Sequence, residues 1–208
     1  PRSTLSSSSA ASDVYKRQTL TEKVNSDLND TLGNFIHRTL TFINKQFDST
    51  VPTPCNFSEK DNQVLAEAKQ IVDQTAERLE IFKLQEALRV SVSLSHLGNR
   101  YFNEKEPWKT VKTDKQEAAN TLYVAVQIVK QLAVIMAPFI PFTSEKLWQL
   151  LNLEGSVHEQ NWSETEKPLP AKHKINKAKP LFSKIEENEE QLQAKVEQVR
   201  AKLKKSKT

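Results

Sequence analysis

The chain of 208 residues is poor in glycine and cysteine, with three glycines in all and Cys55 as its single cysteine. All-β folds and nucleotide-binding α/β folds use glycine freely at their turns, so its scarcity argues against both. A lone cysteine excludes an internal disulfide framework and a cysteine-based zinc site. No apolar run approaches the roughly 20 residues that span a bilayer, and the N-terminus lacks the apolar core of a secretory signal. We therefore expect a cytoplasmic protein without a membrane partner.

The net charge gives little information about a partner. The chain has 30 Lys and Arg against 26 Asp and Glu, which gives a formal charge of +4. Half of this charge, +2, comes from residues 1–18 alone. Such a balanced chain neither requires nor excludes a nucleic acid, so a prediction of RNA binding must depend on individual residues.

Residues 1–18 differ in composition from the rest of the chain. Residues 1–11 are rich in serine and alanine and have almost nothing to bury, which predicts disorder. Residues 13–18, Asp-Val-Tyr-Lys-Arg-Gln, match the translated end sequence of a transposon-based sequencing adapter. We therefore expect residues 1–18 to be a non-native or disordered leader, and the native sequence to continue upstream of Thr19.

From Thr19 onward apolar residues recur every three or four positions, which is typical of amphipathic helices. The first predicted helix covers residues 20–47, and the prolines that follow end it. Ser58 and Asp61 resemble an N-cap with an acid in the first turn of a second helix. A third helix is predicted at residues 84–102. In it a column of small residues allows a neighbouring backbone to approach closely: Ala87, Ser91, Ser95 and Gly98.

A fourth helix, residues 115–136, is apolar on most of its circumference and is therefore predicted to lie at the centre. Pro138 and Pro141 end it, and Thr143 or Ser144 is expected to cap a short fifth helix. The sequence has no segment with the alternation typical of a β-strand. It therefore predicts an all-α fold, an antiparallel bundle of about five helices with a C-terminal helical appendage.

The same patterns predict the domain organisation. Residues 19–153 form the helical bundle, and residues 154–182 form a long polar connection that contains three prolines. Residues 183–208 are predicted to be a charged helix or tail that begins acidic and ends basic, which complements the helix dipole. The alternative interpretation of this polarity is a contact with an RNA backbone or with an assembly partner.

No catalytic residue and no metal site is predicted. The histidines are scattered, and none has a second ligand at metal-binding spacing. Residues 96–99 and 204–208 match two short signatures of class I aminoacyl-tRNA synthetases, HxGH and KMSKS, only in part. The first match falls inside a predicted helix and the second at a basic terminus, which is the wrong context for both signatures.

The residues that indicate RNA binding lie on the first helix and after the third. Asn34 and Arg38 are four positions apart and share one helix face, and Lys45 continues the same column. An amide beside a guanidinium suits hydrogen bonding to base edges, and Trp108 after Pro107 suits stacking on an unpaired base. The structural alternative is a solvated Asn and Arg face with a Trp packed in a corner.

Three lysines near these residues are candidate contacts to RNA phosphates. Lys105 and Lys109 flank Trp108, and Lys45 lies further along the first helix. Exposed lysines bind phosphates weakly and without sequence preference. His37 adjoins the proposed groove but projects from another side of the helix, so we expect it to pack or to face solvent.

Several segments are informative through the identity of their residues and not only through their spacing. They are LGNFIHR at 32–38, FINKQF at 42–47, NRYFNEKEPWK at 99–109, APFIP at 137–141, and the pieces at 173–175 and 180–182. Together they resemble the anticodon-binding domain of methionyl-tRNA synthetase. Segment 99–109 alone also resembles other synthetases of the same class, whereas the first-helix segments favour the methionine member.

The resemblance implies a role for three residues and a partner. In the family, a Trp stacks on the wobble cytosine of the CAU anticodon, and an Asn and an Arg bond to base edges. The matching residues here are Trp108, Asn34 and Arg38, and all three residue types are retained. The implied partner is the tRNA for methionine.

The resemblance also implies a longer parent protein, an ATP-dependent methionine–tRNA ligase whose catalytic domain uses ATP and magnesium and lies upstream. This chain is then expected to bind tRNA without aminoacylating it, and to need no cofactor of its own. Other synthetases or a tRNA-binding assembly factor are further candidate partners. Two alternatives stay open: a free-standing, non-catalytic helical module that binds RNA or protein, and the anticodon domain of a related class I synthetase.

Overall fold

The computed structural model describes residues 19–185 and contains helices but no strand within that range. An isolated antiparallel bridge joins Thr50 and Lys174. The prediction of an all-α fold is therefore confirmed. The predicted leader at residues 1–18 lies outside the described residues, as does the predicted C-terminal helix from residue 186 onward.

Short connections join most of the helices, and the longest, residues 47–58, joins α1 to α2. Residues 19–23 are helical and lead into a π-helix, Val24–Gly33. The α-helices are α1 Asn34–Gln46, α2 Glu59–Glu80, α3 Leu84–Lys105, α4 Pro107–Thr113, α5 Lys115–Ile135 and α6 Pro141–Leu150. Two short 3-10 helices, Val157–Glu159 and Trp162–Glu166, come after them. Residues 29–182 form one compact unit, which contains all of the α-helices named above.

A second unit has residues 19–28 and 183–185 as its described part. The side chain of Asn25 joins these two segments. Its Nδ2 donates to the carbonyl of Ile185 at 3.1 Å, and its Oδ1 accepts from the amide of Ile185 at 2.9 Å. Residues 183–185, where the last predicted helix begins, are not helical.

The first helix differs from its prediction. The spacing predicts one α-helix over residues 20–47, whereas residues 24–33 form a π-helix and α1 begins only at Asn34. A π-turn closes an i→i+5 hydrogen bond, so positions three and four apart do not keep one face through this segment. The prediction of a continuous α-helical stripe is therefore wrong for residues 24–33. Beyond them it is confirmed, with Phe35 and Ile43 fully buried.

The predicted central helix is confirmed as α5, which packs against α1, α2, α3, α4 and α6. Leu122, Ile128 and Leu132 have no exposed surface. By length and composition α5 would suit a membrane span, but 89% of its most apolar window is buried inside the molecule. An apolar helix that its neighbours cover on all sides is a core helix, so α5 is the core helix of this bundle.

Two predicted helix starts have different outcomes. Ser58 caps α2 as predicted: its Oγ accepts from the amide of Asp61 at 3.3 Å, and Asp61 Oδ2 accepts from the amide of Ser58 at 2.9 Å. In α6 the N-cap residue is Ile140, and Pro141 occupies the first helical position. The predicted cap at residues 143–144 is wrong, because a proline at the first position needs no partner for an amide and begins the helix earlier.

The connection after α6 is packed onto the bundle. Lys130 of α5 has 3% of its side chain exposed, and it donates to Glu164 Oε1 at 2.7 Å and to the carbonyl of Lys167 at 2.6 Å. Gln127 of α5 donates to the carbonyl of Leu169 at 3.0 Å and accepts from its amide at 2.7 Å. These bonds fix the start of the segment 167–182, which we call the C-terminal strap.

The small-residue column of α3 lies where α1 approaches. Gly98 is buried against Phe35, and a Cβ at position 98 would lie 2.6 and 2.7 Å from Cε1 and Cε2 of that ring. Asn99 donates from Nδ2 to the carbonyl of Thr31 at 2.9 Å, which ties α3 to the π-helix beside this contact. The predicted close approach of a neighbouring helix is therefore confirmed at Gly98.

We expect Gly98→Ala to destabilise the protein by about 1–3 kcal/mol, because the added methyl group overpacks the site against Phe35. Helix propensity alone predicts the opposite sign, since Ala is favoured over Gly by about 1 kcal/mol in a helix interior. Urea denaturation of the 208-residue chain measures the difference. His96→Ala, an exposed position on the same helix, is the control and should change stability by less than about 0.5 kcal/mol. A Gly98→Ala protein at least as stable as the wild type would contradict the tight contact.

Candidate nucleic-acid interface

α1 presents two of the predicted site residues on one face. Asn34 is its first residue and Arg38 follows one turn later, so their side chains project to the same side. Asn34 is exposed and Arg38 is half-buried. Three buried residues of α1, Phe35, Ile36 and Leu40, fix the rotation of the helix. The face with Asn34 and Arg38 is therefore held in one orientation.

The guanidinium of Arg38 lies over two aromatic rings. Its Cζ is 4.8 Å from the centroid of Phe102 and 5.5 Å from the centroid of Trp108. Its Nη2 donates to Oδ1 of Asn103 at 3.1 Å. Partial burial lowers the pKa of Arg38 from its ordinary value, but a guanidinium stays charged at neutral pH. The cation–π contacts and the hydrogen bond hold the planar group in place, and its other N–H groups remain for a ligand.

Trp108 is the second residue of α4. Between α3 and α4, Glu106 adopts a left-handed backbone conformation with φ of 42°, and Pro107 opens the new helix. The ring centroids of Trp108 and Phe102 are 6.1 Å apart, and 36% of Trp108 is exposed. Glu106 and Pro107 thus form a tight joint between α3 and α4. It directs the indole toward Arg38 and leaves part of its surface for contact with a base.

A buried carboxylate holds this end of α3. Asp61 of α2 is fully buried and accepts a hydrogen bond from the hydroxyl of Tyr101 at 2.8 Å. Nζ of Lys105 lies 3.0 Å from Oδ1 of Asp61 and also forms an ion pair with Glu117 of α5. Tyr101 and Lys105 lie on either side of Phe102 in the sequence. The buried network therefore fixes the turn of α3 that carries the Phe102 ring.

The three candidate phosphate contacts differ in their surroundings. Lys105 has 11% of its side chain exposed and is engaged by two acidic side chains, so we assign it to the packing of α3 and not to a phosphate contact. Lys109 is 67% exposed and forms a surface ion pair with Glu106 at 2.8 Å. Lys45 is exposed in the last turn of α1. Lys45 and Lys109 stay candidates.

Asn34 opens onto a pocket of about 370 Å³. The pocket lies between the end of the π-helix, the first turn of α1 and the end of the C-terminal strap. Its lining residues are Asn29, Asp30, Gly33, Asn34, His37, Pro180, Leu181 and Phe182. His37 therefore lines the same pocket as Asn34, a placement that its angle on the helix did not predict. Its Nε2 is 3.5 Å from Oγ1 of Thr41, whereas its Nδ1 is buried without a hydrogen-bond partner among the described residues.

The site thus brings together Arg38 and Trp108 and sets Asn34 one turn away. Two further residues belong to it that the sequence interpretation did not single out, Phe102 and Asn103. The sequence contains a pattern that could have indicated Phe102, because an aromatic residue near the end of a predicted helix is followed by Pro107 and Trp108. The site offers a stacking surface, hydrogen-bond donors with fixed direction and an amide beside a pocket. Proteins use these features to bind unpaired bases.

Comparisons with known proteins agree on one family. Residues 51–201 match the family described as the anticodon binding domain of methionyl tRNA ligase. A methionine–tRNA ligase of Thermococcus kodakarensis is 40% identical over 168 residues, which cover 81% of this chain and 22% of that protein. This chain thus spans about a fifth of the length of that curated relative.

Two solved structures share the fold. The apo form of Mycobacterium tuberculosis methionyl-tRNA synthetase aligns with a TM-score of 0.77 at 23% identity, covering 82% of this chain and 35% of that one. The same enzyme bound by methionyl-adenylate aligns with a TM-score of 0.74 at 24% identity, covering 80% of this chain and 33% of that one. At these identities the likeness concerns the fold alone.

The buried Asp61 predicts a dependence of stability on pH. Burial alone raises the pKa of Asp61, but hydrogen bonds from Tyr101 and Ser58 and the ammonium of Lys105 lower it, and the net pKa lies below its ordinary value. A carboxyl with a depressed pKa in the folded state stabilises the fold above its unfolded pKa, which is about 3.9. This stabilisation is lost as the pH falls through the folded pKa.

We therefore expect the free energy of unfolding to fall as the pH drops below about 4, and Asp61→Asn to make this fall less steep. At pH 7 the variant should be less stable by about 1–3 kcal/mol, because charge-assisted hydrogen bonds are lost. Urea denaturation between neutral and acid pH measures both effects. The control is Asp73→Asn, whose side chain on the same helix is 55% exposed. Equal pH profiles for Asp61→Asn and the wild type would contradict the assignment.

Proposed function

Because this chain belongs to the family of the anticodon-binding domain of methionyl-tRNA ligase, we propose that its Asn34, Arg38 and Trp108 bind the CAU anticodon of the tRNA for methionine. The observation that carries this proposal is the position of the Arg38 guanidinium over Phe102 and Trp108. A stacking ring and a directed set of donors then lie side by side on one surface. Unpaired anticodon bases present the faces and edges that such a pair binds.

The three residues have different roles in this proposal. Trp108, with 36% of its surface exposed, stacks on the wobble cytosine. Arg38 has one N–H bonded to Asn103 and uses others for base edges, since a guanidinium carries five donors. Asn34 offers both a donor and an acceptor at the mouth of its pocket, which suits the Watson–Crick edge of a base.

We further propose that the parent protein is an ATP-dependent methionine–tRNA ligase of the cytoplasm. Since the family that this chain matches is an anticodon-binding domain, we assign ATP and magnesium to a catalytic part of that parent protein. We also propose a division of labour within the chain. Residues 19–153 bind the anticodon, and residues 154–182 pack back toward the catalytic part. The chain alone then binds tRNA without aminoacylating it.

Binding of the 208-residue chain to RNA anticodon stem-loops tests the proposal. At a fixed salt concentration, a CAU loop should bind more tightly than a loop with a changed first anticodon base. Arg38→Ala and Trp108→Ala should each cost about 1–3 kcal/mol of binding to the CAU loop, as expected for a lost base contact. Arg38→Lys should behave much like Arg38→Ala, because an ammonium keeps the charge but not the planar set of donors.

Two exposed residues outside the site provide matched controls. Arg89→Ala removes an exposed Arg of α3, and Phe82→Ala removes an aromatic ring that is 86% exposed. Neither should change the preference for CAU. Equal, salt-sensitive binding of both loops by the wild type would contradict the proposal and favour a helical module without base recognition. No binding of either loop at low salt would contradict RNA binding altogether.

A further inference from the structure

A second groove, with three lysines, lies next to the Asn34 pocket. It has a volume of about 520 Å³, and we call it the lysine groove. Its lining residues are Lys146, Gln149, Leu150, Asn176, Lys177, Lys179, Pro180 and Leu181. One lysine comes from α6 and two from the C-terminal strap. Pro180 and Leu181 line both cavities, so the lysine groove adjoins the Asn34 pocket.

Hydrogen bonds on both sides hold the strap where it forms this groove. The amide of Asn176 donates to the carbonyl of Leu150 at 2.9 Å, and its Nδ2 donates to the carbonyl of Gln149 at 2.6 Å, which ties the strap to the end of α6. On the other side, Asn44 of α1 accepts from the amide of Ala178 at 2.7 Å through Oδ1. The backbone that carries Lys177 and Lys179 is therefore fixed by α1 and α6 together.

The charge of this groove is not balanced by nearby acids. The strap, residues 167–182, contains no Asp or Glu and five lysines: Lys167, Lys172, Lys174, Lys177 and Lys179. Lys146, Lys177 and Lys179 are exposed, and among the ion pairs formed by residues 19–185 none includes them. Elsewhere in the same range, Lys69, Lys105 and Lys130 each have a carboxylate partner. The lysine groove is therefore a local concentration of positive charge on an otherwise balanced chain.

We propose that the lysine groove binds phosphate groups of the same RNA whose anticodon base enters the Asn34 pocket. This inference rests on the proposed function, and it names the part of the RNA that the strap contacts. Flexible ammonium groups act as point charges and suit phosphodiester oxygens, which need charge more than fixed geometry. Pro180 and Leu181 line both cavities, so the base pocket and the groove lie close enough for one RNA strand to contact both.

Replacement of the three lysines tests this proposal in the 208-residue chain. The variant is Lys146→Gln, Lys177→Gln and Lys179→Gln together. Each phosphate contact contributes close to one unit to the slope of log K against log salt concentration, so the slope should become shallower by about 2–3. Binding of the CAU loop and of the changed loop should weaken by the same factor, because phosphates carry no sequence information.

A second triple variant controls for net charge: Lys69→Gln, Lys83→Gln and Arg89→Gln. It removes the same charge at exposed basic residues outside the groove and the strap, so its salt slope should stay close to that of the wild type. Circular dichroism melts establish that both variants fold. Equal slopes in the two variants would overturn the lysine groove as a phosphate site. That result would instead favour a protein partner, such as an acidic face of a catalytic part.

The two proposals fail in distinguishable ways. A wild-type protein without preference for CAU contradicts the anticodon proposal, whereas the slopes of the two triple variants report on the groove alone. If the preference for CAU is present and the groove variant keeps the wild-type slope, base recognition stands and the inference about the strap is overturned.

Discussion

The contact between Phe35 of α1 and Gly98 of α3 sets the geometry on which the candidate site depends. Any side chain at position 98 would overlap the Phe35 ring, so only glycine lets the two helices come this close. About one turn further along each helix lie Arg38 and Phe102, and the close approach places the guanidinium 4.8 Å from the ring centroid. The packing of the bundle and the position of the proposed base-reading group therefore depend on the same contact.

Residues 98–105 of α3 serve two purposes. Tyr101 and Lys105, four positions apart, both reach the buried Asp61. Gly98 admits α1, and Phe102, one turn later on nearly the same face, meets Arg38. A substitution in this stretch changes stability and the site at once. Function is therefore better tested at the partly exposed Arg38 and Trp108 than at the residues that hold them.

What the sequence predicts well depends on local spacing. The capping box of Ser58 and Asp61 involves positions three apart, and the central position of α5 follows from its apolar circumference. What it misses depends on partners that are distant along the chain or on a different helical period. Lys105 looks like a free cation beside Trp108, but its carboxylate partners lie on α2 and α5. The π-helix is not predicted because apolar residues three and four positions apart indicate an α-helix, whereas a π-helix has i→i+5 hydrogen bonds.

Under the proposed function, base recognition and phosphate binding use positive charge in different ways. The guanidinium of Arg38 is held by rings and by Asn103, so it acts through direction and shape. The groove lysines lack such fixed partners and act through charge alone, which salt screens. Preference for a base should then be less sensitive to salt than total affinity is. A formal charge of only +4 over 208 residues is compatible with RNA binding, because Lys146, Lys177 and Lys179, which form no ion pair with residues 19–185, are concentrated in one groove.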